Sequence, residues 1–161
     1  MKIGNSDHFP ADFAAVADSR NIRIDTTRYP GGAVHALTAA ADIVPSLHRS
    51  EGFGLILAEA MLLAEPVIAT GWSGNPTFMA ADSAALVDWR LVATNDPRQM
   101  YHSSIWAEPD QDAAVAHLRH LADDAAVRAA LGAQVRRFAL DRLGASPLAA
   151  AVRHLGLDVP A

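Results

Sequence analysis

Short apolar runs alternate with helical patterns as far as residue 87, and this constrains the fold more than any other feature. Residues 1–4, 21–25, 42–47, 67–70 and 84–87 read as strands. Residues 9–19, 33–41, 54–64 and 76–80 read as the helices between them. Such alternation builds crossover units, and these build a parallel sheet covered on both faces. Residues 84–87 read as the last strand and 88–107 as irregular. Three helices then follow, at 110–121, 124–143 (with a break expected near Gly132) and 147–155. Pro45 is an awkward guest inside a strand.

Composition narrows the function classes. The 161 residues suffice for one domain with a real core. The net charge is −5, Lys2 is the only lysine and there is no Lys/Arg run, which argues against nucleic acid as a partner. The absence of cysteine excludes a disulfide scaffold and thiolate metal or redox sites. No window of about 18 apolar residues is free of charge, so no spanning helix is expected. The chain opens directly into strand-like sequence without a long apolar leader, and the expected compartment is the cytoplasm.

The chemistry concentrates in residues 46–61, Ser-Leu-His-Arg-Ser-Glu-Gly-Phe-Gly-Leu-Ile-Leu-Ala-Glu-Ala-Met. This segment leaves the carboxyl end of a strand, passes two glycines and enters a helix. Ligands of open parallel sheets bind at that edge. The amides of Phe53, Gly54 and Leu55 should lie free at the helix N-terminus. Free amides and the helix dipole together suit an anion, phosphate above all. Glu51 sits beside them and can accept from neutral hydroxyls.

Glu59 lies on a helix that is apolar nearly all round, which predicts burial. A buried carboxylate needs a partner, and no Lys or Arg stands three or four residues away. Sugar or ribose hydroxyls would serve; so would a distant Arg or backbone amides. A second glycine loop follows the next strand: Thr70, Gly71, Trp72, Ser73, Gly74, Asn75 and Pro76, with Asn75 and Pro76 reading as helix cap and first residue. By itself it reads equally well as a tight turn. The pair of loops is stronger evidence, since both should fall on one sheet edge.

Other residues carry two readings each. Arg49 is either a phosphate contact or half of a surface ion pair. His48 is a site residue or a surface one. Trp72 stacks on a base or sugar, or packs in the core. Trp106 reads as an anchor for the helical end. His117 and His120 stand three apart, as metal ligands can, but no further ligand motif supports them and no metal is expected.

The ordered set resembles the group 1, or family 4, retaining glycosyltransferases. The matching elements are residues 41–44, the segment 46–54, the E-x7-E pair Glu51 and Glu59, residues 66–71 and 73–75, and residues 106–110. The resemblance runs from about Lys2 to Pro109. It implies a Rossmann-like three-layer αβα domain, the C-terminal half of a GT-B fold. Residues 1–109 would form the donor-binding part and 110–156 the C-terminal helices. It also implies roles by position. Glu51 would contact the donor sugar, and Glu59 the ribose hydroxyls. The amides of Phe53, Gly54 and Leu55 would meet the sugar and distal phosphate. Gly74 and Asn75 would form the second donor loop, with Arg49 a further phosphate candidate.

The implied reaction moves a sugar from a nucleoside diphosphate sugar to an acceptor hydroxyl with retention, as in glycan or cell-surface polysaccharide biosynthesis. The attack is front-face, without a dedicated nucleophile, a bound cofactor or a metal. The protein's main work would be charge stabilisation at the leaving group.

The resemblance is incomplete. The N-terminal acceptor-binding domain, which would meet a glycan or lipid-linked sugar, has no counterpart here. Neither does the first strand, with the Arg/Lys loop that grips the diphosphate. Residues 1–4 resemble the second strand. Open sheet edges would then be available to a second copy of the chain. The expectation is a donor-binding part, inactive or nearly so alone, peripheral at the inner membrane only in a full-length context. The competing expectations are a non-catalytic nucleotide-sugar-binding module and a self-associating structural remnant.

Overall fold

The computed structural model describes Val16, residues 19–95, Tyr101 and residues 103–154. The strand expected at 1–4 and nearly all of the helix expected at 9–19 lie outside these residues. Contacts divide the chain into two units, Met1–Ala36 and Leu37–Ala161.

In the first unit, the strand expected at 21–25 reduces to a single bridge residue, Asp25. The Asp25 carboxylate instead organises a local turn. Its Oδ1 accepts from the Thr27 amide at 2.9 Å and its Oδ2 from the Tyr29 hydroxyl at 2.6 Å. Asp side chains compete with strand pairing in this way. Helix α1 (Gly31–Ala39), whose last three residues belong to the second unit, starts two residues earlier than expected, with both glycines in its first turn. The Pro30 carbonyl accepts from the amides of Ala33 and Val34.

The second unit is built on three parallel strands, β1 (Val44–Ser46), β2 (Val67–Thr70) and β3 (Ala85–Val87), in the order β1-β2-β3. Residue pairs Val44/Val67 and Ile68/Ala85 set the register. All four β2 residues are buried, because both faces of the strand are covered. Val67 and Ala69 face Met61 of helix α2 (Leu55–Leu62) and Val135 and Ala139 of helix α4 (Ala125–Leu143). Ile68 points the other way, to Ala114 and Leu121 of helix α3 (Gln111–Asp123). The two-residue period of a strand thus divides one apolar run between two cores. This is the expected α/β architecture, with helices on both faces of a parallel sheet.

Pro45 is accommodated by position. The Val44 amide donates to the Pro66 carbonyl on the β2 side. The nitrogen of the next residue, Pro45, therefore faces away from β2, where its missing N–H breaks no pairing among the described residues.

Three expectations are corrected. Residues 84–87 are not the last strand, and 88–107 are not irregular. Strands β4 (Trp89–Ala93) and β5 (Ile105–Pro109) form an antiparallel pair in which Trp89 faces Pro109 and Leu91 faces Ala107. Helix α4 runs unbroken through Gly132. A Cβ there would overlap the Ala64 carbonyl oxygen, so this glycine marks close approach to the turn after α2, not a break. Helices α3 and α4 start one residue after Asp110 and Asp124, which are their N-caps. Asp110 accepts from the Ala113 amide, and Asp124 from those of Ala126 and Val127. Helix α5 (Ala145–His154) closes the described chain.

Candidate functional site

Both glycine loops leave the carboxyl ends of neighbouring strands, β1 and β2, so they share one sheet edge. Gly54 is the N-cap of α2 with φ 94° and ψ 48°, a left-handed conformation that favours glycine. A Cβ at Gly54 would also crowd Leu57 at 3.3 Å and Asn75 and Phe78 at 3.4 Å. The amides of Phe53, Leu55, Ile56 and Leu57 find no protein acceptor among the described residues. Of the three amides expected to lie free, Gly54 is the exception: it donates to Glu51 Oε1 at 3.1 Å. Glu51 thus already places one negative charge at the positive end of the helix.

The two loops are joined through Glu51 and Ser73. The Ser73 hydroxyl donates to the Glu51 carbonyl at 2.6 Å and accepts from the Glu51 amide at 3.2 Å. The Gly74 amide donates to the same carbonyl at 3.1 Å. Ser73 adopts φ 77°, unusual for a residue with a side chain, and these bonds hold it there. Sequence reasoning placed Ser73 in the second loop but gave it no role of its own. A small hydroxyl residue before a glycine in the second loop was the available signal.

Asn75 is fully buried and serves the site from within. It is the first residue of a short 3-10 turn (Asn75–Thr77), with Gly74 at the cap position instead of the expected Asn75. Its amide nitrogen donates to the Thr70 carbonyl at 3.0 Å, leaving Oδ1 to accept from His48 Nε2 at 3.0 Å. His48 Nε2 also approaches the Trp72 carbonyl at 3.1 Å, while Nδ1 faces the Ser46 hydroxyl at 3.1 Å. Two carbonyl oxygens at Nε2 assign a proton to that nitrogen, while the Ser46 hydroxyl can serve Nδ1 in either role. His48 is therefore a tie between the end of β1 and the second loop.

Arg49 forms a two-pronged pair with Glu108: Nε to Oε2 at 2.7 Å and one terminal nitrogen to Oε1 at 2.9 Å. Its guanidinium also lies 5.1 Å from the centre of the Trp106 ring. The hydrogen bond holds the Glu108 carboxyl below the usual carboxylate range and raises the guanidinium further. Trp106 thus packs under Arg49, where an anchor for the helical end was expected. Trp72 packs on Trp89, ring centres 4.3 Å apart, and the Trp89 indole donates to the Gly71 carbonyl at 2.8 Å.

Glu59 departs from expectation in its surroundings. Helix α2 buries only one face, with Leu57, Ala58, Ala60 and Met61. Leu55 and Ile56 are 67% and 57% exposed. Glu59 is half-buried on the stripe it shares with Leu55, Leu62 and Leu63, and it has an interaction within the chain. An all-round apolar helix predicts burial only if every face has a neighbour; here the sheet and α4 cover one side. His117 and His120 lie on α3, and no group of three or more potential metal ligands is found among the described residues. Nor is any helix among them long and apolar enough to cross a membrane.

A parallel sheet under helices, with two glycine loops at its carboxyl edge, is the architecture of the C-terminal domain of GT-B glycosyltransferases. Three solved structures share it. The first is the C-terminal domain of the group 1 glycosyl transferase LpcC from Francisella tularensis, at 18% identity and TM-score 0.59 over 86% of this chain and 62% of that one. The second is WaaG, a glycosyltransferase of lipopolysaccharide biosynthesis, at 20% identity and TM-score 0.61 over 86% and 33%. The third is Anabaena Alr3699/HepE, solved with UDP and glucose, at 16% identity and TM-score 0.64 over 92% and 35%. The chain thus spans less than two thirds of each. No curated protein matches it. The profile of the group 1 glycosyl transferases matches residues 3–107, and the chain belongs to that family.

Proposed function

We propose that the chain is the donor-binding part of a retaining glycosyltransferase and holds a nucleoside diphosphate sugar across the two glycine loops. The observation that carries this reading is the array of unpaired amides at Phe53, Leu55, Ile56 and Leu57, beside Glu51 and at the ligand-binding edge of the sheet. Family membership supports it, as does the UDP and glucose in the complex of Alr3699/HepE.

In this reading the diphosphate meets the amides of Phe53 and Leu55 and the helix dipole, which stabilise charge on the leaving group. Glu51 accepts from sugar hydroxyls and keeps Gly54 in place. Glu59 accepts from the ribose. Gly74 and Asn75 shape the second loop, Asn75 from beneath it. Neither metal nor cofactor is required, and the acceptor is a hydroxyl of a glycan or lipid-linked sugar. Arg49 is already engaged by Glu108, which favours weak donor affinity and little turnover by the chain alone. That engagement also favours, as a second reading, a nucleotide-sugar-binding module without catalysis.

Titration calorimetry with UDP, GDP and their sugars tests the reading. Saturable binding is expected, and Glu59→Ala should weaken it. No heat from any of these ligands, or full affinity in the variant, would count against the ribose site. Appreciable sugar transfer by the purified chain alone would refute both the expected inactivity and the non-catalytic second reading.

A further inference from the structure

Arg49 stands two residues before Glu51, at an edge suited to phosphate, yet its guanidinium points to the β4–β5 pair. Three contacts fix the guanidinium, and a fourth fixes the backbone of the residue that carries it. Two are the charge-assisted bonds to Glu108, 59 residues away in sequence. The third is the Trp106 ring beneath the guanidinium. The fourth is backbone: the Ala107 amide donates to the Arg49 carbonyl at 3.0 Å, attaching the loop to β5. A forked pair of this geometry, reinforced by an aromatic face, is worth more than an ordinary surface ion pair. A guanidinium that turned to a phosphate would give up both bonds and the ring.

The loop carrying Arg49 is also tied to the second glycine loop, through His48 to Asn75 and through Glu51 to Ser73. The segment from His48 to Glu51 is thus clamped between the second glycine loop and the hairpin. We propose that Arg49 is a positioning residue: with Glu108 and Trp106 it locks this loop against β5, and so sets where Glu51 and the α2 amides stand, without touching the ligand. The consequence for binding rests on the donor-site reading; the lock itself does not. A guanidinium reserved for the diphosphate would be better left unpaired, whereas a lock needs its acid partner.

Glu108→Gln separates the two roles, since it leaves Arg49 intact. If Arg49 is a lock, Glu108→Gln and Arg49→Gln weaken UDP binding in the same direction, by about threefold or more each. The double variant is then no worse than the stronger single one, and the exchanged pair Arg49→Glu/Glu108→Arg recovers much of the loss. If Arg49 is a phosphate contact, Glu108→Gln frees a cation and tightens UDP, while Arg49→Gln weakens it; that result overturns the proposal. Amide shifts and hydrogen exchange at Gly54 and Gly74 provide a readout without ligand. Both should change in the single variants and return in the exchanged pair. Unchanged shifts and exchange at Gly54 and Gly74 in all variants overturn the lock. Failure of the wild-type chain to bind UDP would refute the donor site and leave the lock to be judged on these amides.

Discussion

Gly74 lies so close to Gly52 that a Cβ on Gly74 would overlap the Gly52 carbonyl oxygen and stand 2.8 Å from the Phe53 Cα. The neighbours here are backbone and cannot swing aside. The two glycine loops are therefore one structure, with main chain pressed on main chain and sealed by Ser73. Gly74→Ala must push the loops apart. It should cost about 1–3 kcal/mol, as overpacking does, and donor binding should fall by more than that destabilisation accounts for. Denaturant unfolding and calorimetry on the same variant check both. Gly52 has open space around it, so Gly52→Ala should leave stability nearly unchanged.

Besides a long contact to Met79 Sδ at 3.5 Å, Asn75 bonds two groups, the Thr70 carbonyl and the His48 ring. Asn75→Ala leaves both without that partner, and losing a buried partner costs about 1–3 kcal/mol. Asn75→Asp should be worse at neutral pH, because a carboxylate oxygen then faces the Thr70 carbonyl. His48→Gln should be milder than His48→Ala, since an amide nitrogen can still donate toward Asn75. Urea midpoints of the four variants test this order.

Thr70 offers the opposite case. Its hydroxyl oxygen is buried and has no partner among the described residues. Thr70→Val keeps the shape and removes an unsatisfied polar atom, so it should stabilise the protein by about 1 kcal/mol. A lower unfolding midpoint in Thr70→Val would show that the hydroxyl is in use.

The parallel core was legible because its signals are local. The run Val67 to Ala69 is apolar and, with Thr70, is flanked by Pro66 and Gly71, and the glycines of residues 52–54 announce a strand-to-helix turn. The β4–β5 pair was not legible. Its strands are joined by residues 94–104, which lack the chemistry of a tight hairpin turn, and its stability comes from contacts such as Trp89 to Gly71 that no local pattern encodes. The same holds for the site. The amides at the α2 N-terminus follow from local sequence. The pairing of Arg49 with Glu108, and the burial of Asn75 under His48, depend on residues far apart in the chain. The exposure of Leu55 and Ile56 depends on which neighbours α2 has, and periodicity cannot report that.

Acid should weaken two of the described features. The Glu108 carboxyl is held low first by its bond from Arg49, and the Asp124 carboxyl by bonds from the amides of Val127 and Ala126. Each group has a lower pKa folded than unfolded. Its contribution is therefore complete above the unfolded value and disappears as pH falls through the folded one. Glu65 runs the other way, raised by burial and then by Asp42, so its charge opposes folding above the ordinary carboxylate range. Unfolding curves of Glu108→Gln and Asp124→Ala should lie below the wild type at pH 7, by a gap that narrows in acid. Glu65→Gln should lie above it at pH 7, by a gap that likewise narrows. Parallel pH profiles would refute the assignments.

Helix α2 ends in a turn that asks for glycine and has alanine. Ala64 has φ 66°, the Glu65 amide reaches back to the Ala60 carbonyl at 2.9 Å, and the Leu63 amide bonds the Glu59 carbonyl at 3.0 Å. This is a left-handed helix stop, in which a residue with a Cβ is penalised by about 1–2 kcal/mol. Part of that gain is offset because glycine loses more chain entropy on folding. Ala64→Gly should therefore raise stability by about 0.5–1 kcal/mol. The turn also carries the Ala64 carbonyl against which Gly132 of α4 is packed, and that contact uses backbone alone, so the substitution leaves it in place. The converse change, Gly132→Ala, forces α4 away from the turn and should destabilise strongly. Chemical denaturation of the two single variants tests both signs at once, and a destabilised Ala64→Gly would mean that the methyl group is held by packing that outweighs its strain.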